Sequence, residues 1–421
     1  MIAVPFIYFF VFLIYAIKHK SIYSMSTILI LVYVITSFFT IVLDQLDAYS
    51  NVCPNTKINF LPTSLYCLLI TYVIYPFYRI QDHKIVQIEQ LKKSKYLDCI
   101  VHLYFIIFVM LVVFLYRDII IAWNLANIDE NLKGEISAGE IQLISLTGPI
   151  LTIVNICIKI SSVSIFLLPI FFYNITFREK SKLFYIENFL GSMCILVNSV
   201  LTQDRSRFVY WFLIFLICSV FFYRFFTKRI KRNFFAFSIS IVVFIIAYLI
   251  IMNDKRYSSR TDFSSSDYFL VSYAGQSFIN FCHFFEYLNL PRYNFEGPFP
   301  VLSHFFSPEE LNTTEWAMYL RIKTGVNTLT FSTFIGFLAS YIGFYWASLW
   351  VLGYGFICRA CLSNKTVYSL FDFMVYIALI YEPYLGIFGS PYHGFLTEIG
   401  TIIILTICFF SCRISRRNSH I

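Results

Sequence analysis

The sequence predicts an all-α polytopic integral membrane protein, with about 11 transmembrane helices and one large outer loop containing an amphipathic helix. Three observations predict it. Hydrophobic residues make up 58% of the 421-residue chain, charged residues only 13%, and mean hydropathy is +0.71. Eleven apolar runs approach the length needed to cross a bilayer. Lys and Arg are concentrated in alternate segments between those runs, as in a multi-pass chain. A water-soluble enzyme, a disordered chain and a nucleic-acid-binding domain are excluded, because a soluble protein of this size cannot hide so much apolar surface.

The runs fall near 2–17, 22–43, 63–78, 99–116, 144–173, 183–201, 208–226, 234–252, 331–358, 366–386 and 395–411. The first lacks a basic leader, so it reads as a span and not as a cleaved signal peptide. The chain divides into 1–252 with helices 1 to 8, the large outer loop 253–325, and 326–421 with helices 9 to 11.

Orientation follows from the cations. With the segment after the first run taken as cytoplasmic, inner segments hold twenty of the 32 Lys and Arg residues. They include Lys18 and Lys20, the Arg79–Lys95 group, Arg178 to Lys182, Arg224 to Arg232, Arg359 with Lys365, and Arg413 to Arg417. The positive-inside rule then puts the N-terminus outside and the C-terminus inside. Most of the net charge of +8 is thereby explained without an anionic partner or nucleic acid. No inner loop is long enough for a nucleotide-binding domain, and no Gly-rich phosphate loop occurs, which argues against an ATP-driven pump.

Nine of the eleven cysteines lie in or at the ends of apolar runs, where Cys behaves as a small hydrophobe. Only Cys53 and Cys282 fall in outer segments. Cys358-x-x-Cys361 lacks a His or a second Cys pair, so no metal site is expected.

Within the large loop, Val271, Ala274, Phe278, Phe281, Phe285 and Leu288 recur at helical spacing, with Ser272, Gln276, Asn280, His283 and Glu286 on the other side. This predicts an amphipathic helix lying along the outer membrane surface. Pro291, Pro298, Pro300 and Pro308 then break regular structure.

Several charged residues stand out. Arg205 and Arg207 lie in a very short outer turn, against the orientation signal. Their guanidinium groups suit a phosphate or pyrophosphate at the lipid surface, or else snorkel to Asp204 or lipid headgroups. Arg260, Arg292, Arg321 and Lys323 add positive charge to the large loop beside eight acidic residues. Lys159, Glu187, Asp372, Glu382 and Glu398 fall inside spans, where ionisable groups are expensive and thus functional candidates, Lys159 pairing with Glu187 or Asp372 in the bland alternative. Glu382, His393 and Glu398 surround the last short outer loop, and His283 and His304 are rival bases in the large one.

The plan of many spans with one large outer loop in the C-terminal half resembles the Wzy-type polymerases, which join oligosaccharide repeat units in O-antigen and capsule assembly. Asp204-Arg205-Ser206-Arg207 before an apolar run is similar to the family's Arg-bearing opening of a span. Tyr273-Ala274-Gly275-Gln276-Ser277-Phe278-Ile279-Asn280-Phe281 resembles its Tyr/Gly/Phe-Asn stretch. Asn327-Thr328-Leu329-Thr330-Phe331, followed by Ser340-Tyr341-Ile342-Gly343, resembles its Asn-Thr-Phe segment leading into Asp-Phe-Gly. Ser340 stands where Asp is usual, so no acidic role falls there.

The resemblance implies a glycosyltransferase without cofactor or metal in a bacterial inner membrane, its large loop in the periplasm. Its substrate would be an undecaprenyl-pyrophosphate-linked oligosaccharide, and a flippase and a chain-length regulator of the same pathway would be its partners besides membrane lipids. Arg205 and Arg207 both match the family's membrane-edge arginine, with Arg260 next as a catalytic candidate. Tyr273, Asn280, Arg292 and Arg321 are the substrate-binding candidates, and His283, His304, His393 and Glu382 the candidate bases. Two alternatives stay open at this point. One is a lipid-linked oligosaccharide flippase using Lys159, Glu187 and Asp372 as a central polar site. The other is an O-antigen ligase-like glycosyltransferase.

Overall fold

The computed structural model describes residues 1–46, 58–80, 85, 87–91, 94–125, 144–202, 206–234, 237–241, 243, 247, 267–287, 322, 324, 332–387 and 395–419. The described chain is overwhelmingly helical, with two two-residue strands, Gln87–Ile88 and Val367–Tyr368. Eight helical segments are long and apolar enough to cross a membrane, and each coincides with one of the expected runs. The first and tenth runs form sixteen-residue helices, and much of the eighth lies outside the described residues.

The chain divides into two compact units. Unit 1 comprises residues 1–87, 267–368 and 375–398. It holds α1 (Val4–His19), α2 (Met25–Gln45), α3 (Phe60–Arg79), α10 (Asp267–Tyr287), α11 (Phe334–Cys361) and most of α12 (Leu370–Leu385). Aromatic rings fill its centre. Tyr66 lies 4.9 Å from Phe278 and 5.2 Å from Phe281, and Phe281 meets Phe344 edge-on at 5.3 Å. Gly343 interrupts α11 with φ 77°, a left-handed backbone that costs glycine little, so the long helix kinks there.

Unit 2 comprises residues 88–266, 369–374 and 399–421. It contains α4 (Lys95–Leu125), α5 (Gly148–Ser161), a 3-10 turn at Ser162–Phe166, α6 (Leu167–Phe177), α7 (Lys182–Ser192), α8 (Cys194–Leu201) and α9 (Ser206–Tyr223). Most of α13 (Phe395–Ser419) also belongs to it. Helix α4 packs on α7 and α8, and α9 on α6 and α8. Trp211 stacks on Phe215 at 5.5 Å, and Phe172, Phe222 and Phe373 continue the aromatic core. The break between α7 and α8 releases the Ser192 carbonyl, which accepts from Trp211 Nε1 at 3.0 Å and Ser164 Oγ at 3.2 Å. The freed Ser192 carbonyl is thus satisfied twice over.

Helix α4 presents Leu103, Ile106, Val109, Val113 and Ile120 outward at helical spacing, and α1 does the same with Ile7, Val11 and Ile14. Such apolar faces suit lipid and would be a liability in water. The fold is that of a polytopic α-helical membrane protein.

Candidate functional site

The polar residues of unit 1 converge around α10. The helix forms where the spacing predicts, over Asp267–Tyr287. Its setting differs from the sequence expectation: every residue from Gly275 to Phe284 is buried, Gln276, Asn280 and His283 among them, while Glu286 near the helix end is exposed. Its buried middle is held by protein partners. Thr40 Oγ1 of α2 donates to the Gly275 carbonyl at 2.7 Å, Ser277 Oγ donates to the Ile387 carbonyl at 2.5 Å, and His283 Nε2 donates to the Thr324 carbonyl. Asn280 is 0% exposed. Gly275 permits this packing, because an added Cβ would stand 2.5 Å from the Phe39 carbonyl oxygen.

The C-terminal end of α12 supplies an acid. Glu382 is 1% exposed and lies in the last turn of α12, where the helix dipole disfavours a negative charge. The Tyr33 hydroxyl donates at 2.7 Å to the carbonyl of the next residue, Pro383, and interacts electrostatically with Glu382. Just beyond the helix, the Gly386 amide donates to the Glu382 carbonyl at 2.7 Å and the Gly386 carbonyl accepts from Phe334 N at 2.6 Å. Tyr376 and Tyr384 are fully buried on the same helix. Buried hydroxyls, amides and one carboxylate thus share the interior of unit 1. Burial pulls the His283 imidazole below its ordinary value, against the Thr324 carbonyl and Glu286, which both raise it. The bond to Thr324 puts the hydrogen on Nε2, leaving the lone pair on Nδ1.

Of the residues singled out from sequence, Asn280, His283, Glu382 and Glu398, the last half-buried in the first turn of α13, therefore fall in unit 1. Arg207 is the second residue of α9 in unit 2 and is half-buried. A cation in the first turn opposes the helix dipole, so Arg207 is not there to stabilise α9. Tyr273 lies on α10, its side chain outside the described residues, as are Arg205, Arg260, Arg292, Arg321, His304 and His393 altogether.

The acids and the lysine named for a central transport site do not meet. Glu187 pairs with His102 at 2.8 Å, and Asp372 accepts from Ser369 N at 2.9 Å and Ser369 Oγ at 2.7 Å at the start of α12. Lys159 is exposed on α5 and has no ion-pair partner among the described residues. The expected pairing of Lys159 with Glu187 or Asp372 is corrected accordingly.

Sequence reasoning missed three groups. Tyr33, Ser37 and Thr40 recur at three to four residues on one face of α2, a polar stripe legible in the sequence but passed over inside an apolar run. Asp118 lies beyond the fourth run, 99–116, yet α4 continues to Leu125 and buries it, and Ser145 Oγ donates to it at 2.8 Å. The third is an ion network in unit 2. Arg178, whose side chain is 3% exposed, meets Asp98 at 2.8 Å, and Lys180 meets the other carboxylate oxygen at 2.8 Å.

Compared with protein-family models, with curated proteins and with solved structures, the chain matches none. The fold and the buried polar interior of unit 1 define the class: a multi-span α-helical membrane protein with ionisable and hydrogen-bonding side chains enclosed in its helical body.

Proposed function

We propose that the protein is a Wzy-type polymerase, joining undecaprenyl-pyrophosphate-linked repeat units at the periplasmic face of a bacterial inner membrane. The observation that carries this reading is the seating of α10. Gly275 to Phe281, the larger part of the stretch that resembles the family's Tyr/Gly/Phe-Asn segment, are buried in unit 1, the unit that also holds Glu382 and Tyr33. A mere surface anchor would have no reason to bury Gln276, Asn280 and His283.

Contacts between segment ends support the alternation behind an N-terminus outside and a C-terminus inside. Lys20 with Ile80, and Lys180 with Asp98, join segments read as inner. Ser277 with Ile387 joins segments read as outer, and Thr40 with Gly275 and Ser145 with Asp118 each join the outer end of a run to such a segment.

In the reaction, a sugar hydroxyl of one repeat unit attacks the anomeric carbon that links the other chain to its lipid. The glycosidic bond forms as the carbon–oxygen bond to pyrophosphate breaks. Lipid pyrophosphate leaves with the electron pair, and the hydroxyl proton passes to a base. Glu382 is the base this reading favours, with His283 second. Arg207, with Arg205 or Arg260, meets the developing pyrophosphate charge. The pyrophosphate bond carries the activation, so no nucleotide is consumed.

The test is to incubate purified protein with a synthetic lipid-linked repeat unit, without nucleotide or metal. A product ladder with release of lipid pyrophosphate is expected. Vesicle transport with no new glycosidic bond would overturn the reading in favour of a flippase.

A further inference from the structure

A cleft of about 410 Å³ opens in unit 1 where α3 and α11 end, lined by Pro76, Arg79, Ile80, Arg359, Ser363 and Asn364 among others. The two helices are in contact higher up, where the Tyr72 ring packs against Gly355. Pro76 then removes a backbone donor from α3 one turn before its end, a common cause of helix bending. Beyond that point lies the cleft.

Its charge is one-sided. Arg79 and Arg359 are both exposed, and neither has an ion-pair partner among the described residues. No described acidic side chain lines the cleft. A third cation stands at its lip, since Lys20 Nζ donates to the carbonyl of Ile80, a lining residue, and lies 4.9 Å from the Tyr78 ring. Each arginine stands in the last turn of its helix, where it complements the helix dipole, and the cleft brings the two together. Two guanidinium groups on one cavity, with a lysine at its edge and the Ser363 and Asn364 side chains beside them, concentrate positive charge and hydrogen-bond donors that one anion can engage together.

We propose that this cleft is a binding site for a phosphate-bearing anion, filled in the membrane by the headgroup of an acidic phospholipid. The positive-inside rule puts it at the cytoplasmic face, where acidic lipids meet basic pockets between helices. Forked guanidinium donors match the oxygens of a phosphodiester, and the cleft has room for one headgroup. This site is independent of the polymerase reading, whose chemistry lies at the opposite face.

The full chain is reconstituted into phosphatidylcholine nanodiscs containing phosphatidylglycerol, re-extracted, and the retained phosphatidylglycerol counted by mass spectrometry. Arg79→Gln/Arg359→Gln is expected to lower retention about tenfold. Lys228→Gln/Arg229→Gln, equal in charge change but remote in sequence from the cleft, is expected to leave it unaltered. Adding inorganic phosphate separates the sources: displacement identifies a soluble phosphate as sufficient ligand, and resistance identifies the lipid, either result supporting a phosphate site. Equal retention by the cleft variant and the wild type overturns the proposal, as does equal loss from the control variant. Should the double variant fail to fold, Arg79→Gln and Arg359→Gln singly carry the same comparison.

Discussion

The Thr40 hydroxyl donates a 2.7 Å hydrogen bond to the carbonyl oxygen of Gly275, at a close approach of α2 and α10. Backbone meets backbone there, with no space for a side chain on α10. Replacing Gly275 by Ala forces the helices apart and is expected to cost about 2 kcal/mol, within the range for overpacked interiors. Thr40→Val, which keeps the shape and loses the bond, is expected to cost about 1 kcal/mol. Thermal unfolding in detergent measures both, and an unchanged midpoint for Gly275→Ala would falsify the close packing.

Asp98, Arg178 and Lys180 form a network in which Arg178 is nearly inaccessible and the Asp98 side chain only 24% exposed. Asp98→Asn leaves a buried guanidinium uncompensated, at a cost of about 3 kcal/mol. Adding Arg178→Met to that variant should recover part of the loss, because no buried charge then lacks a partner. A double-mutant cycle reads the coupling directly. Additive single and double effects are the result that would contradict it.

His283 makes unit 1 sensitive to acid. Burial lowers its pKa in the folded protein, so the folded state takes up the proton less readily than the unfolded chain does. Its contribution to stability is therefore full above the ordinary value of 6.5 and is lost as pH falls through the lowered folded value. Unfolding measured as a function of pH should show this loss in wild type, and His283→Gln should show less of it. Parallel curves for the two proteins would remove His283 from the account.

Glu382 and Tyr33 carry the proposed chemistry within unit 1. Glu382→Gln keeps size and hydrogen-bonding capacity but removes the base, so long polymer should vanish while single-repeat glycolipid remains. Tyr33→Phe deletes the bond to Pro383 and should shorten the polymer without abolishing it. Arg207→Ala should abolish long polymer, and Arg207→Lys should restore it only in part because a point charge cannot replace a fork. Normal ladders from Glu382→Gln would shift the base to His283, and normal ladders from both Arg205 and Arg207 variants would sink the assignment.

Cys361 is exposed three residues beyond buried Cys358, at the end of α11 read as cytoplasmic. A variant retaining Cys361 as its only cysteine should react with a membrane-impermeant maleimide only after the membrane is opened. Labelling of intact cells would reverse the orientation.

The membrane class, the positions of most spans, the cation distribution and the helix over 267–287 were all legible in the sequence. Each rests on a local property, either the hydropathy of some twenty consecutive residues or a repeat of three to four positions. The same locality explains the misses. Glu187, Lys159 and Asp372 look alike as charges within apolar runs, yet they end with His102, with no ion partner among the described residues and with Ser369 respectively.

The sequence alone therefore determined the class of membrane-embedded helical protein and which stretches are apolar enough to cross a bilayer. Tertiary structure alone decided that Gln276, Asn280 and His283 of α10 are enclosed, and that Tyr33 caps a carbonyl 350 positions away beside Glu382. The physical reason is that an unpaired polar group is too costly to bury, so its partner is fixed by whichever distant segment packing brings against it.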